Sequence, residues 1–257
     1  MKIEFVSVLH FSPTGSTSDI AMYLGYKLFE QVAEFDLSKQ VLEKVEVSDR
    51  SLAVVAVPVY GGRVPGRAVE ALRLVSGNGA ACVSMAVYGN RAVDDALVEL
   101  NDVLTEQGFC VIASGEFIAQ HSLVAEMAAG RPDEHDFAAM DDFASGVLKR
   151  VVAGDFSQVQ DVPGNKSYAS QAVASSGVTP MTLDSCLNCG MCARSCPVSA
   201  IPVGNCKETD SEKCILCMRC VKTCPMRSRV LPAQFKEVIS ARLQQHGGVR
   251  REPRVYL

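Results

Sequence analysis

Hydrophobic positions in the first 150 residues follow two alternating patterns. Short runs rich in β-branched residues alternate with longer stretches in which apolar residues recur every three to four positions. The short runs are typical of buried strands, and the longer stretches of amphipathic helices. We predict strands at residues 4–11, 33–36, 52–58, 81–87 and 109–115, and helices at residues 17–32, 39–45, 65–76, 93–107 and 134–153.

This alternation predicts the fold class and the domain organisation. Strands joined by helices build a parallel sheet, and five of them suit a doubly wound α/β sheet with strand order 2-1-3-4-5. We assign residues 1–155 to this α/β domain, 156–181 to a linker and 182–230 to a cysteine-rich α+β domain. The last segment, 231–257, contains a predicted helix at 233–245 and a basic end at 250–254 that we expect to be solvated.

The amino-acid composition is ordinary except for the number and clustering of its cysteines. The chain has 257 residues, of which 48% are hydrophobic, 21% charged and 6% aromatic, as in ordinary globular proteins. Nine of its 11 cysteines lie between residues 186 and 224. A secreted disulfide scaffold is usually shorter and follows a signal peptide, and the N-terminus has no apolar stretch of that kind. No apolar run reaches the ~20 residues that cross a bilayer. We therefore expect a cytoplasmic protein with reduced thiols and no membrane partner.

The cysteines form a motif that occurs twice. Residues 186–197 read CLNCGMCARSCP and residues 214–225 read CILCMRCVKTCP, both of the form C-x2-C-x2-C-x3-C-P, and their starts are 28 residues apart. Three thiolates in a tight loop occupy three corners of a [4Fe-4S] cube, whereas the fourth ligates the other cube. This predicts one cluster on Cys186, Cys189, Cys192 and Cys224, and a second cluster on Cys214, Cys217, Cys220 and Cys196.

Zinc is the alternative occupant of this motif, because C-x2-C pairs also build tetrahedral zinc sites. A zinc site uses two pairs of ligands, which gives no reason for a triplet, a fourth cysteine and a proline, so we favour the clusters. We interpret Cys206, between the two motifs, as an apolar filler that is not a ligand. Cys82 and Cys110 lie in predicted strands and are expected in the core.

The charge distribution fits anionic clusters. Residues 1–182 carry 13 Lys and Arg against 23 Asp and Glu, whereas residues 183–257 carry 12 against 6, a balance of +6 within a net charge of −4. A basic segment often indicates nucleic-acid binding. Here two clusters with four thiolates each, at a formal −2 per cluster, reduce the balance to about +2. We therefore expect no nucleic-acid partner.

A loop of hydroxyl residues and glycine follows the first predicted strand. It contains Ser12, Thr14, Gly15, Ser16 and Thr17. At the start of a helix, free backbone N–H groups and hydroxyls form a cradle for a phosphate. The alternative is plain helix capping by Ser16 or Thr17. The loop has neither the lysine of nucleotide-triphosphate loops nor the glycine pattern of dinucleotide-binding loops.

Two further loops place tyrosine and glycine at strand ends. They contain Tyr60, Gly61, Gly62 and Arg63 after the third predicted strand, and Tyr88, Gly89, Asn90 and Arg91 after the fourth. Open α/β sheets bind ligands at this edge, where tyrosines can stack on a flat ring and glycines let the backbone approach it. Either loop alone is also a simple strand-ending turn, so the prediction of a ligand rests on all three loops together.

These motifs resemble two known families. Ser12-x-Thr14-Gly15-x-Thr17 is similar to the phosphate loop of the flavodoxins, and residues 59–65 and 88–91 fall where that family holds the isoalloxazine ring of FMN. Residues 182–230 resemble the bacterial ferredoxins that carry two [4Fe-4S] clusters. The order of parts resembles the flavodoxin–ferredoxin fusions of anaerobic bacteria and archaea. The resemblance implies FMN and two [4Fe-4S] clusters as cofactors.

The implied function is electron transfer between the two clusters and FMN, because a cluster passes one electron at a time and a flavin holds one or two. Redox partner proteins, a ferredoxin or a reductase, would supply or receive the electrons. One alternative is a flavin-dependent reductase of a small molecule or an acceptor protein. Its substrate pocket would be shaped by residues 117–132, a predicted long loop whose hydrophobic positions follow no clear period. The other is a ferredoxin with an empty, flavodoxin-like docking domain. His10, which ends the first strand, and His121, in the long loop, could each approach a flavin, but we expect both to be packed or at the surface. We find no catalytic acid–base pair.

Overall fold

A six-stranded, mostly parallel sheet lies at the centre of the N-terminal part of the chain. The structure is a computed structural model that describes residues 3–41, 43–168, 177–247 and 249–257. In chain order the elements are β1 (Phe5–His10), α1 (Ser16–Leu28), β2 (Val32–Asp36), β3 (Val45–Glu46), β4 (Ser51–Pro58), α2 (Gly66–Leu72), β5 (Val75–Ser76), β6 (Ala81–Tyr88), α3 (Ala96–Glu106), β7 (Cys110–Ile118), α4 (Glu134–Ala153), β8 (Met181–Thr182), α5 (Met191–Ser195), α6 (Arg219–Lys222), β9 (Arg229–Val230), α7 (Ala233–Gly247) and β10 (Arg254–Tyr256).

The order of strands in this sheet is β2-β1-β4-β6-β7-β10. Neighbouring strands are parallel except for β10, which runs antiparallel to β7. With the short pieces β3 and β5 set aside, the five parallel strands have the order 2-1-3-4-5, which confirms the predicted doubly wound sheet. The loops after β1, β4 and β6 therefore meet at one edge, beside the point where the strand order reverses.

Helices bury both faces of the sheet. α1 and α4 cover one face with Ile20, Leu24 and Phe143, and α2 and α3 cover the other with Leu72 and Leu97. β4 and β6 read SLAVVAVP and ACVSMAVY, and nearly all of their side chains are buried. A strand that is covered on both faces needs no polar side, which is why these two strands are continuous apolar runs in the sequence.

The helix predicted at residues 39–45 is wrong. The chain turns there after Asp36, whose carboxylate accepts a hydrogen bond from the Ser38 amide at 2.8 Å, and Val45 then pairs with Val75 in β3 and β5. Val75 belongs to the second half of the helix predicted at 65–76, so α2 ends earlier, at Leu72. In both places a pairing between distant residues replaces a helix that local composition favours.

Part of the predicted linker lies against the α/β domain. Val159 is buried, and its amide donates to the Val111 carbonyl at 2.8 Å. The Tyr168 hydroxyl donates to the Asp102 carboxylate at 2.7 Å. Residues 156–168 therefore follow the surface of the first domain, and residues 169–176 of the predicted linker lie outside the described residues.

The basic end is exposed at Arg250, Glu252 and Arg254, as expected, but the sequence did not predict the strand that begins at Arg254. Tyr256 in β10 pairs with Ser114 in β7, and its hydroxyl donates to Glu116 at 2.9 Å. Without β10, β7 would be an edge strand with open N–H and C=O groups, and such an edge accepts a further strand. The tail therefore ends as the sixth strand of the sheet.

The cysteine-rich part is closed by a two-stranded ladder in which Met181 pairs with Val230. α7 follows this ladder and packs Leu243 against Val124 and Met127, which belong to the loop between β7 and α4. Among the described residues, no helix combines the length and apolar character that crossing a bilayer requires.

Candidate functional site

A cavity of about 680 Å³ opens at the carboxyl ends of β1, β4 and β6. The predicted residues that line it are Thr14, Ser16, Thr17, Tyr60, Gly61, Gly62, Tyr88, Gly89 and Arg91. The other predicted residues, Ser12, Gly15, Arg63 and Asn90, lie outside its wall. The structure thus brings the three loops together at one site, as expected for the edge where the strand order reverses.

The first loop is organised around Gly15, the N-cap of α1, which has a φ of +92°. The Ser12 hydroxyl accepts a hydrogen bond from the Ser18 amide at 2.9 Å, and the Ser18 hydroxyl donates to the Gly15 carbonyl at 2.7 Å. Ser16 and Thr17 lie in the first turn of α1, and neither caps it. The alternative of plain capping by these two residues is therefore wrong.

Several polar groups of this loop are free for a ligand. The hydroxyls of Thr14, Ser16 and Thr17 line the cavity and form no hydrogen bond within the described part of the chain. The amides of Ser16 and Thr17 belong to the unpaired first turn of α1. Together with the partial positive charge of the helix N-terminus, they can hold an anionic group.

The second loop turns tightly between Tyr60 and Arg63, whose amides and carbonyls pair at 3.0 and 3.2 Å. Gly61 and Gly62 take φ values of +60° and +82°. A Cβ atom at Gly62 would lie 2.8 Å from the Cβ of Asp94, so only glycine fits there. Burial raises the pKa of Tyr60 well above its usual range, and the nearby Cys217 adds to the shift. Tyr60 therefore offers a neutral ring to the cavity.

Arg63 serves a different purpose from the predicted one. Its guanidinium forms a two-pronged ion pair with Glu99 of α3 at 2.7 and 2.6 Å. Its Nη1 donates to the Tyr168 carbonyl at 3.0 Å. Arg63 thus fastens the second loop and the linker to α3, and it does not reach the cavity.

The residues of the third loop face two different surfaces, the cavity and the C-terminal segment. Tyr88 and Arg91 line the cavity, and Arg91 forms an ion pair with Asp94. Asn90, with a φ of +63°, faces the C-terminal segment: its side chain donates to the Val249 carbonyl at 2.8 Å and accepts from the Arg251 amide at 3.1 Å. Asn90 therefore holds the tail in place beside the cavity.

His121 lines the cavity, so the structure places it where the sequence left open an approach to the ligand. Its Nδ1 accepts hydrogen bonds from the amides of Leu123 and Val124 at 3.2 and 3.3 Å. Burial, with a contribution from Arg91, lowers the pKa of His121 to about 4. The ring is therefore neutral at pH 7 and carries its proton on Nε2. His10 lies elsewhere, with its Nε2 2.8 Å from Glu34.

The cysteine-rich domain forms part of the same cavity. Ile215 and Leu216, between Cys214 and Cys217, belong to its wall. The neighbouring helix α6 contacts two loops of the α/β domain: Arg219 donates to the Ser38 carbonyl at 2.9 Å, and the Lys222 ammonium donates to the Thr14 carbonyl. The second cysteine motif is thereby docked directly onto the three-loop site.

Helix α7 supplies the remaining wall. Its residues at the cavity are Phe235, Ile239, Arg242, Leu243, Gln245 and His246. The amphipathic pattern of 233–245 predicts this helix but does not say which surface its apolar face covers. Its contribution to the site could not be read from the sequence for that reason.

The eight motif cysteines lie around two further, smaller cavities. One is lined by Cys186, Cys189, Cys192 and Cys224, with Cys206 beside them. The other is lined by Cys196, Cys214, Cys217 and Cys220. The structure therefore groups the cysteines in the two crossed quartets that the spacing predicts.

The repeat in the sequence is also a repeat in backbone conformation. Asn188 and Leu216 have φ values of +53° and +51°, and Gly190 and Met218 have values of +79° and +64°. Each pair is separated by the same 28 residues as the motifs. Leucine and methionine rarely adopt positive φ, and such strained residues cluster at binding sites.

The donor set fits iron–sulfur clusters. Burial raises the pKa of Cys217 to about 12 and that of Cys192 to about 11, so without a metal both remain protonated thiols, and binding must displace these protons. Among the described residues, no three His, Cys, Asp or Glu side chains converge on a single metal ion. Four soft sulfur donors around each small cavity are the ligand set of a [4Fe-4S] cluster.

Comparisons with known proteins agree with this division of the chain. Residues 182–201 and 207–228 match the family of 4Fe-4S binding domains. No curated protein matches the chain significantly.

Solved structures similar to the first part of the chain were also found. They include the rubredoxin:oxygen oxidoreductase of Desulfovibrio gigas (12% identity, 59% of this chain and 37% of that chain, TM-score 0.41). A flavodoxin from the domain Archaea has 12% identity and a TM-score of 0.39, and the match covers 58% of this chain and 99% of that chain. The flavodoxin of Streptococcus pneumoniae TIGR4 has 18% identity and a TM-score of 0.38, and the match covers 57% of this chain and 99% of that chain. These scores are low, and the assignment of the fold rests on the strand order of the sheet.

The chain is thus a two-part protein that combines a flavodoxin-like α/β domain with a ferredoxin-type domain. Residues 182–201 and 207–228 of its C-terminal part match 4Fe-4S binding domains, in line with a flavodoxin–ferredoxin fusion.

Proposed function

We propose that this chain binds FMN in the cavity at the strand ends, holds two [4Fe-4S] clusters on its crossed cysteine quartets, and transfers electrons between them. One observation carries the proposal: Ile215 and Leu216, between two of the cysteines, line the same cavity as the three loops. When bound, FMN accepts or releases one or two electrons, whereas each cluster passes one.

The chain's own residues fit the parts of FMN. The free hydroxyls and amides of residues 14–17 suit its phosphate. Tyr60 and Tyr88 line the cavity, and aromatic side chains there can stack on a flat ring system. His121 holds a proton at Nε2 and is a neutral hydrogen-bond donor in the wall. α7 forms one wall of the cavity and adds the apolar side chains of Phe235, Ile239 and Leu243 to it.

The two quartets differ in their surroundings. The second quartet adjoins the cavity, because Cys217 is a neighbour of Tyr60. In the first quartet Cys189 is exposed, and the adjacent Leu187 and Met191 are 70% and 45% exposed. We infer that electrons cross the second cluster on their way to or from FMN, and that a redox partner protein, a ferredoxin or a reductase, docks near the first. A cytoplasmic location fits the proposal, because thiolate ligands need a reducing compartment.

Anoxic purification followed by measurement of iron, sulfide and FMN per chain tests the proposal. We expect two [4Fe-4S] clusters and one FMN. Mixing with a one-electron donor protein then tests the route: Cys220→Ala should slow reduction of the flavin, whereas Cys82→Ala, a buried cysteine in β6, serves as the matched control and should leave it unchanged. Zinc in place of iron, or equal rates in all three proteins, would contradict the proposal.

A flavin-dependent reductase is the second candidate. It is favoured by the polar side chains of Arg91, Arg242 and His246, which line the cavity together with His121. Turnover of a small acceptor by the reduced, cofactor-loaded chain would support this candidate. Clusters without any flavin affinity would instead support the empty docking domain.

A further inference from the structure

Arg229 is the largest side chain that the structure buries completely. It is 1% exposed and begins β9 between the two cysteine quartets. Its Nη1 donates to the Thr182 hydroxyl at 2.7 Å and to the Cys206 carbonyl at 3.0 Å, and its Nη2 donates to the Thr209 hydroxyl at 2.7 Å. Among the residues that the structure describes, its Nε has no hydrogen-bond partner.

None of these partners carries a negative charge. Within the described part of the chain Arg229 forms no ion pair with a carboxylate, and a guanidinium stays charged under all ordinary conditions. Burial of a charge without a counter-charge is among the costliest arrangements in a protein interior. The fold therefore contains a positive charge whose partner is something other than a side chain.

The position of Arg229 identifies that partner. It lines the cavity of the first quartet, and its Nη2 lies 3.8 Å from Sγ of Cys220, which belongs to the second quartet. Both quartets, loaded with [4Fe-4S] clusters, carry net negative charge. A single buried cation thus faces two anionic groups from between them.

We propose that Arg229 is the internal counter-ion of both clusters and raises the reduction potential of each. A positive charge favours the reduced form of a cluster, because reduction adds one negative charge. Since the surroundings are dry, this effect escapes the screening that weakens surface charges. The inference rests on the two clusters of the proposed function.

The test is a redox titration of the full chain, followed by electron paramagnetic resonance, on three variants. Arg229→Met removes the charge and keeps most of the volume, Arg229→Lys keeps the charge, and Arg194→Met removes an exposed charge on α5. We expect Arg229→Met to shift both potentials in the negative direction, at low and at high salt alike. Arg229→Lys should retain most of the wild-type values, and Arg194→Met should change them little.

The outcomes separate this inference from the proposed function. A wild-type chain without two clusters contradicts the proposed function. A loaded Arg229→Met protein with unchanged potentials, a shift in only one cluster, or a shift that vanishes at high salt overturns the inference alone. If Arg229→Met fails to load clusters, the loading of both clusters in Arg229→Lys supports the inference, because it shows that a positive charge is required at this position. If neither variant loads clusters, the inference is overturned.

Discussion

Cys196 belongs to the first motif in the sequence but lines the cavity of the second quartet. The proline after it turns the chain away, so its sulfur leaves the loop that contains its three neighbours. We predict that Cys196→Ala loses the second cluster and keeps the first. Iron per chain should fall by about half, and reduction of the flavin through the clusters should slow, as we also expect for Cys220→Ala.

Cys206 offers the matched control for this prediction. It is 1% exposed and lies beside the first quartet, yet the spacing gives it no place among the ligands. Cys206→Ala should retain both clusters. Loss of the first cluster in this variant would show that the buried fifth sulfur is a ligand, and loss of both clusters in Cys196→Ala would contradict the crossed assignment.

Individual residues show where prediction from the sequence stops. The cysteine quartets could be predicted because covalent spacing alone restricts which sulfurs can share a cube. Arg63 was assigned to the ligand because it follows Tyr60, but its partner Glu99 is 36 residues away, and no local pattern reveals that pairing. His121 and Arg229 owe their roles to burial in the folded protein, which sequence position does not indicate.

Helix α6 connects the second cysteine quartet with the three-loop cavity within four residues. Cys220 lines the small cavity of that quartet, Arg219 binds the loop after β2, and Lys222 binds the loop at residues 12–17. That loop has no lysine of its own, so α6 brings a cation there from the other domain. A Cβ atom at Gly15 would lie only 3.5 Å from the Lys222 ammonium, which shows how closely the two domains meet.

We predict that Lys222→Gln weakens binding of FMN but not of riboflavin, which lacks the phosphate. A charge at this position contributes about 1 kcal/mol to binding of an anion at a helix N-terminus, or roughly fivefold in affinity. Quenching of flavin fluorescence measures both affinities. Lys213→Gln, which removes an exposed lysine paired with Asp210, is the control and should change neither. Equal weakening of both flavins by Lys222→Gln would contradict a role at the phosphate.

At the level of elements, the sequence predicted the five parallel strands of the central sheet and missed the shorter strands β3, β5 and β10. β4 and β6 stood out as apolar runs, because both of their faces need apolar side chains. β3, β5 and β10 have two or three residues each, and their pairing depends on strands far away in the chain. Three residues beginning with Arg254 carry no strand signal by themselves.

Three parts of the chain that are far apart in sequence form the wall of the cavity. The α/β domain provides the three loops, the cysteine-rich domain adds Ile215 and Leu216, and α7 closes the remaining side. After α7 the chain returns to the sheet, where β10 pairs with β7. Because the tail anchors the element that follows the cavity wall, we expect the retention of a ligand to depend on the tail as well as on the loops that contact the ligand.

We predict that deletion of residues 250–257 releases FMN faster without loss of clusters. The deletion removes the ladder of β10 with β7 and the ion pair between Arg250 and Asp133, at 2.6 Å, that hold the end of α7 near the cavity. Loss of about 1.4 kcal/mol of restraint corresponds to a tenfold faster release, measured by recovery of flavin fluorescence after dilution. Tyr256→Phe, which removes only the hydroxyl bonded to Glu116, should release FMN at nearly the wild-type rate. An unchanged rate in the deletion would mean that α7 stays in place through its own contacts with Val124 and Met127, because these contacts remain when the tail is removed.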